Sequence, residues 1–152
     1  MTVAALLADA RARLAGLPQE GLGVEKTSRW RAPRIVRAGS AWHVGVLLLT
    51  ADEVFATAEV LRAAEEVRRG YAAESARARA ERRAQAVRGG FAPGEVVHVG
   101  WTAIDVSAVE AGGSSGPLAM RDGVPSVRWS AAGGYMPLAA YLDERIALLL
   151  GG

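Results

Sequence analysis

The chain holds only two imidazoles, His43 and His98. Imidazole is the side chain best suited to proton transfer or metal ligation near neutral pH. Each histidine falls on a stretch with strand-like alternation, facing away from that stretch's tryptophan, Trp42 or Trp101. If the two strands pair, the rings approach each other. A carboxylate from Asp105 or Glu59 would then complete an acid–base or metal set. The spacing matches neither His-Glu-x-x-His nor any other ligand pattern. The residues therefore favour two hydrogen-bonded or solvent-edge histidines, with no metal and no cofactor expected. His43, His98 and Asp105 stand as the weak catalytic candidates.

Other nucleophiles are scarce. Cysteine is absent, which removes thiolate metal sites, cysteine nucleophiles and disulfides. No serine is followed three residues on by lysine. Thr2 would become N-terminal on loss of Met1, but capping the first helix is its simpler role. The glycine-serine segment 112–116 lacks the Gly-Lys-Ser/Thr ending of a phosphate loop and is read as plain loop.

Arginine is the remaining functional signal. Lys26 is the sole lysine among many arginines. Arg77, Arg79, Arg82, Arg83 and Arg88 crowd one predicted helix, and Arg68, Arg69 and Tyr71 precede it. At 3.6 residues per turn Arg79, Arg82, Arg83 and Arg88 cannot share one narrow face. Glu74 and Glu81 partly neutralise the segment. Net charge is +2 over 152 residues, too little field to steer polyanions. Nucleic acid is therefore disfavoured, and codon bias of a GC-rich genome accounts for the arginine excess. The surface comprising Arg68, Arg69, Tyr71, Arg79 and Arg83 is the expected contact surface for a protein or small-molecule partner, with a homodimer as one form.

The elements that must position these groups follow from periodicity. The length suits one domain spanning 1–152, and 51% hydrophobic with 22% charged residues is ordinary for a globular fold. No apolar run reaches membrane-spanning length, and the N-terminus lacks the basic start of a signal peptide, so a cytoplasmic protein is expected. Val3, Leu6, Leu7, Ala10, Leu14 and Leu17 predict an amphipathic first helix. Residues 19–28 read as loop. Residues 30–37 read as a strand placed at an edge by Pro33, 38–40 as a turn, and 41–50 as a central strand.

The stretch 53–61 is open between a hairpin strand and part of a long helix; Phe, Thr and Val favour the hairpin. Residues 74–88 predict a helix with almost no apolar stripe, stopped by Gly89-Gly90. Residues 95–106 resume a strand. Asp122-Gly123 marks a type I′ hairpin joining 117–121 to 124–129. Pro137 starts a last helix whose core stripe is Leu138, Tyr141, Leu142, Ile146 and Leu149. All four tryptophans fall in predicted strands and are expected in the core. The expected architecture is α+β, a mainly antiparallel sheet of about six strands in two three-strand groups, with N-terminal, middle and C-terminal helices.

The segments Trp42-His43-Val44-Gly45-Val46-Leu47-Leu48-Leu49-Thr50, Glu65-Glu66-Val67-Arg68-Arg69-Gly70-Tyr71, Gly116-Pro117-Leu118 and Val127-Arg128-Trp129-Ser130 resemble a family of small uncharacterised proteins from high-GC bacteria. Some members carry an automatic glutaminase label. The residues do not support that activity here: serine glutaminases need Ser-x-x-Lys on a larger fold, and amidotransferase glutaminases need cysteine. Val46 to Phe55 is also similar to one hairpin of bacterial PH-like domains, which supports a strand after residue 53. Together these readings lead to a non-enzymatic binding or interaction module. A small hydrolase-like enzyme built on His43 and His98 is the alternative, and weak nucleic-acid or acidic-partner binding through the middle helix is another.

Overall fold

The computed structural model describes residues 1–66 and 73–151. In chain order the elements are α1 (Val3–Leu14), β1 (Glu20–Ser28), β2 (Arg31–Val44), β3 (Leu47–Leu49), β4 (Val54–Ala56), β5 (Glu59–Arg62), α2 (Glu74–Arg88), β6 (Val96–Val99), β7 (Thr102–Ala103), α3 (Val106–Glu110), β8 (Ser114–Ser115), β9 (Leu118–Arg121), β10 (Val124–Arg128), β11 (Tyr135–Pro137) and α4 (Leu138–Leu149). The class is α+β. Hydrogen bonding orders the strands as β5-β6-β1-β2-β3-β4-β7 in a mixed sheet and β11-β10-β9-β8 in an antiparallel one. The expected six antiparallel strands are corrected to eleven among the described residues, one pair of which, β1 with β6, is parallel. Among the described residues no helix is long and apolar enough to cross a membrane.

The chain divides into two compact units, 1–18 with 42–56 and 102–152, and 19–41 with 57–101. Each has a separate hydrophobic cluster, and β2 runs from the second unit into the first at Trp42.

In the first unit α1 forms as its periodicity predicts. Thr2 Oγ1 accepts the Ala5 N–H at 3.0 Å, and Val3, Leu6, Leu7, Ala10 and Leu14 are buried. That is the N-cap role expected of Thr2. These side chains share a core with Leu138, Tyr141, Leu142 and Ile146 of α4, each such burial contributing roughly 1.5–3 kcal/mol. Leu149 was expected in this stripe, but it is 47% exposed, beside exposed Leu148 and Leu150. The last turn of α4 extends beyond its packing partners. The Asp122-Gly123 hairpin joins β9 to β10 with φ of 52° and 76°, the two positive values a type I′ turn requires.

Residues 41–50 are not one central strand. The chain turns at Gly45-Val46, so that Trp42–Val44 pairs antiparallel with β3. Gly45 has φ +61°, and the Val46 N–H donates to the Tyr141 hydroxyl at 2.9 Å. Both arms stay apolar because both are buried, which disguises a hairpin as one long strand. The open reading of 53–61 resolves towards strand. Thr50 and Glu53 close a tight turn, and β4 pairs with β3. The chain then leaves this hairpin, and β5 pairs in the second unit with β6.

The second unit is the four-strand array β5-β6-β1-β2 with α2. The loop expected at 19–28 is instead β1, paired with both β2 and β6. Its glycines are packing residues: a Cβ on Gly21 would lie 2.6 Å from Phe91 Cε1, and one on Gly23 2.5 Å from Ile35 Cγ2. Polar composition concealed this strand, since its second half is exposed. Residues 38–40, expected as a turn, are an irregularity in continuous β2, where the register with β1 shifts. In this unit β2 is the end strand, as Pro33 suggested. The helix at 74–88 forms with the expected bounds and buries only Ala84 and Ala86.

The stretch 95–106 breaks at Gly100 (φ +77°) into β6 and β7, followed by the short helix α3. Residues 114–115, expected as loop, form β8 against β9. The tryptophans divide. Trp42 and Trp101 are partly buried, their Nε1 donating to Leu17 O at 3.1 Å and Gly23 O at 3.0 Å. Trp30 is 86% and Trp129 49% exposed, which corrects the expectation of four core tryptophans. Trp30 sits in the turn between β1 and β2, and Trp129 lies just past β10, so neither has a sheet face to bury against.

Candidate functional site

The histidine-bearing strands do not pair with each other: β6 pairs with β5 and β1. His43 lies in the first unit, its Nε2 2.8 Å from Gly45 O, where it braces the β2–β3 turn. His98 lies in the second unit and is fully buried. Its Nε2 is 2.7 Å from Glu20 Oε1. This bond joins β6 to β1 beside their parallel pairing at Leu22 and His98, so the imidazole acts as a polar tie inside the sheet. Asp105 belongs to the first unit and is the N-cap of α3, its Oδ1 accepting the Ala108 N–H at 3.1 Å. Glu59 is on β5 and is engaged by Arg82.

The segment 112–116, expected as plain loop, spells Gly-x-Ser-x-Gly around Ser114. A nucleophile elbow needs that serine on a strand-to-helix turn. Here Ser114 and Ser115 instead form β8 after α3, and Ser115 Oγ accepts the Asp105 N–H at 2.8 Å. In the same unit a cavity of about 400 Å³ is lined by Leu7, Arg11, Asp52, Glu53, Asp105 and Ser107 among others. Its one cation is committed, because Arg11 donates to the carbonyls of Thr50 and Glu53.

The arginines of α2 separate into two sets, as helical geometry requires. Arg82 turns onto the sheet, its Nη2 meeting Glu25 of β1 at 2.9 Å while Nε meets Glu59 of β5 at 3.2 Å. The hydrogen bond to Glu59, with that to Glu25, outweighs partial burial and holds the Arg82 pKa above its ordinary value. Arg88 reaches the Pro33 carbonyl at 3.0 Å and Glu81 at 2.7 Å. Both side chains therefore fasten α2 to its own unit.

Arg79 and Arg83 are one helical turn apart. They line a cavity of about 480 Å³ with Ala78 and Arg82 on the helix side and Glu59, Val60, Leu61 and Arg62 on the strand side. Arg83 Nε donates to the Arg62 carbonyl at 2.8 Å. Among the described residues Arg79 has no ion-pair or hydrogen-bond partner. Both were sequence candidates, and this groove is what brings them together with Arg62, which composition did not single out. Arg68, Arg69 and Tyr71 lie outside the described residues.

Two carboxylates in this unit set an acid limit on its stability. Arg37, by hydrogen bonding, holds Glu95 below the ordinary carboxylate value of 4.5, against slight burial and with help from the Ala92 N–H. For Glu81, burial is outweighed by hydrogen bonds from Gln85 and Arg88, leaving it below 4.5 as well. Both groups bind a proton more readily when the chain is unfolded. Their stabilisation is therefore complete above the unfolded-state value and is lost as pH falls through the lower native values. Tm should drop between about pH 5 and pH 3. A Glu81→Gln/Glu95→Gln variant should show a shallower drop in a calorimetric series, and an unaltered slope would refute the assignment.

No family model matches the chain, and neither curated proteins nor solved structures include a significant match.

Proposed function

We propose that this chain is a non-enzymatic binding module whose second unit holds an acidic ligand in the groove between α2 and β5. The observation that carries this reading is the division of labour on α2. Arg82 and Arg88 are used up in holding the helix, while Arg79 and Arg83 line an open cavity with Arg62. A guanidinium outside any internal pair binds carboxylate in a bidentate fork. Exposed Val60 supplies apolar area beside those charges, with largely buried Leu61 next to it in the lining, the usual combination in a recognition groove. A polyanion such as nucleic acid fits less well, because two of the helix arginines are already neutralised within the unit.

An acid–base role for His98 is disfavoured by its complete burial, since a general base must reach its substrate directly or through one water. Arg79→Glu should weaken binding of a glutamate-rich probe peptide about tenfold or more in fluorescence anisotropy, reversing one charge contact. Tm should stay within about 0.5 kcal/mol equivalent of the parent, as for an exposed substitution. Equal affinity in parent and variant would remove the groove from consideration.

A further inference from the structure

We infer that the occupant of this groove is an extended, carboxylate-bearing polypeptide segment that pairs with the outer edge of β5; this rests on the acidic-ligand reading above. β5 is the terminal strand of its sheet. Its hydrogen-bond parity follows from Ala63, whose N–H donates to Glu95 O at 2.8 Å and whose carbonyl accepts from Gly94 N–H at 2.7 Å. Residues alternate in an antiparallel ladder, so Leu61 and Glu59 also face β6. Val60 and Arg62 direct their backbone groups outward.

The outward groups at the far end are already covered by α2. Arg83 Nε takes the Arg62 carbonyl, and the Arg83 carbonyl accepts the Ala64 N–H at 3.2 Å. Cover stops there. Among the described residues nothing pairs with the outward N–H and carbonyl of Val60, a residue that is 48% exposed and lines the cavity. An unpaired strand edge is a template for another strand, and main-chain pairing is the source of affinity when a peptide is added to a sheet. The charge beside this edge selects the occupant. Arg79 stands across the cavity from Val60 with no partner among the described residues. An added strand whose residues flank the Val60 position with Glu or Asp would place a carboxylate within its reach. A hydrophobic strand would leave that guanidinium uncompensated, and a free anion would leave the Val60 backbone unused.

The test uses the full chain and three probes: a labelled ten-residue peptide of alternating Glu and Val, the same peptide with each of its two central amides replaced in turn by an ester, and inorganic tripolyphosphate as competitor. Anisotropy should show saturable binding of the parent peptide. One of the esters should bind about tenfold more weakly, because it cannot donate to the Val60 carbonyl, and Arg79→Glu should weaken every peptide. Equal binding of ester and amide peptides, with Arg79→Glu still damaging, overturns strand pairing but leaves an acidic groove standing. Displacement by tripolyphosphate at equal charge would point the same way. No saturable binding by any probe overturns both. If native mass spectrometry shows copies of the chain associating, and excess peptide leaves that association intact while failing to bind, the edge belongs to a second copy and the inference fails.

Discussion

Gly45→Ala is expected to destabilise the first unit by about 2–4 kcal/mol. Two independent effects add. Gly45 has φ +61°, a left-handed conformation that costs a residue with a Cβ about 1 kcal/mol or more. An added Cβ would also land on the Tyr141 hydroxyl and ring edge, and overpacking of this kind costs about 1–3 kcal/mol. The site cannot give way cheaply. Tyr141 is buried in the α4 stripe, and its hydroxyl accepts the Val46 N–H. Tyr141→Phe alone should cost about 0.5–1.5 kcal/mol, by removing that hydrogen bond. The double variant should cost less than the sum, because removing the hydroxyl makes room for the methyl. Urea denaturation, with hydrogen exchange at the β3 amides, measures all three. Strict additivity would show that the clash is absent and that only backbone strain operates at Gly45.

Gly89→Ala is expected to destabilise the second unit by about 1–3 kcal/mol, although helix propensity alone predicts a gain of about 1 kcal/mol. Gly89 is the C-cap of α2 with an ordinary φ of −82°, so nothing in its own conformation demands glycine. The demand comes from β2: a Cβ here would collide with the backbone carbonyl of Ile35, and a backbone held in the β1–β2 ladder cannot rotate away. Gly90 is the informative control. Its φ is +108°, and a Cβ there would meet nothing within 4 Å. Gly90→Ala should therefore cost only its conformational strain, about 1 kcal/mol. The two substitutions, one residue apart, separate steric contact from backbone strain. A Gly89→Ala protein as stable as the parent would mean that α2 does not dock on β2 at this point.

These two glycines show how far local sequence reaches. Gly89-Gly90 was legible as a helix stop, and the bounds of α2 follow from propensity. That Gly89 is also a contact residue depends on Ile35, distant in sequence and invisible to any local window. The same division runs through the site. Arg79 and Arg83 lie four residues apart and so share a helix face, whereas the helix arginines as a set cannot share a narrow one. Which face would be spent on Glu25, Glu59 and Pro33, and which left open, depended on where β1, β5 and β2 lie around the helix.

Short-range chemistry also settled α1 with its Thr2 cap, the Asp122-Gly123 turn, and the absence of thiol chemistry. In each of these the governing interactions span a few residues, so periodicity, capping and turn geometry suffice. Local pattern misleads where burial replaces periodicity. Residues 41–50 are apolar on both arms of a hairpin, and only the Tyr141 hydroxyl, far along the chain, shows where the turn falls. β1 is polar and glycine-bearing because neighbouring Phe91 and Ile35 fill the space its side chains would need. His43 and His98 were identified at once as the residues able to do chemistry. Tertiary structure alone gave His43 its bond to the Gly45 carbonyl and His98 its bond to Glu20, and sealed His98 from solvent, because pairing partners and accessibility are properties of the assembled sheet.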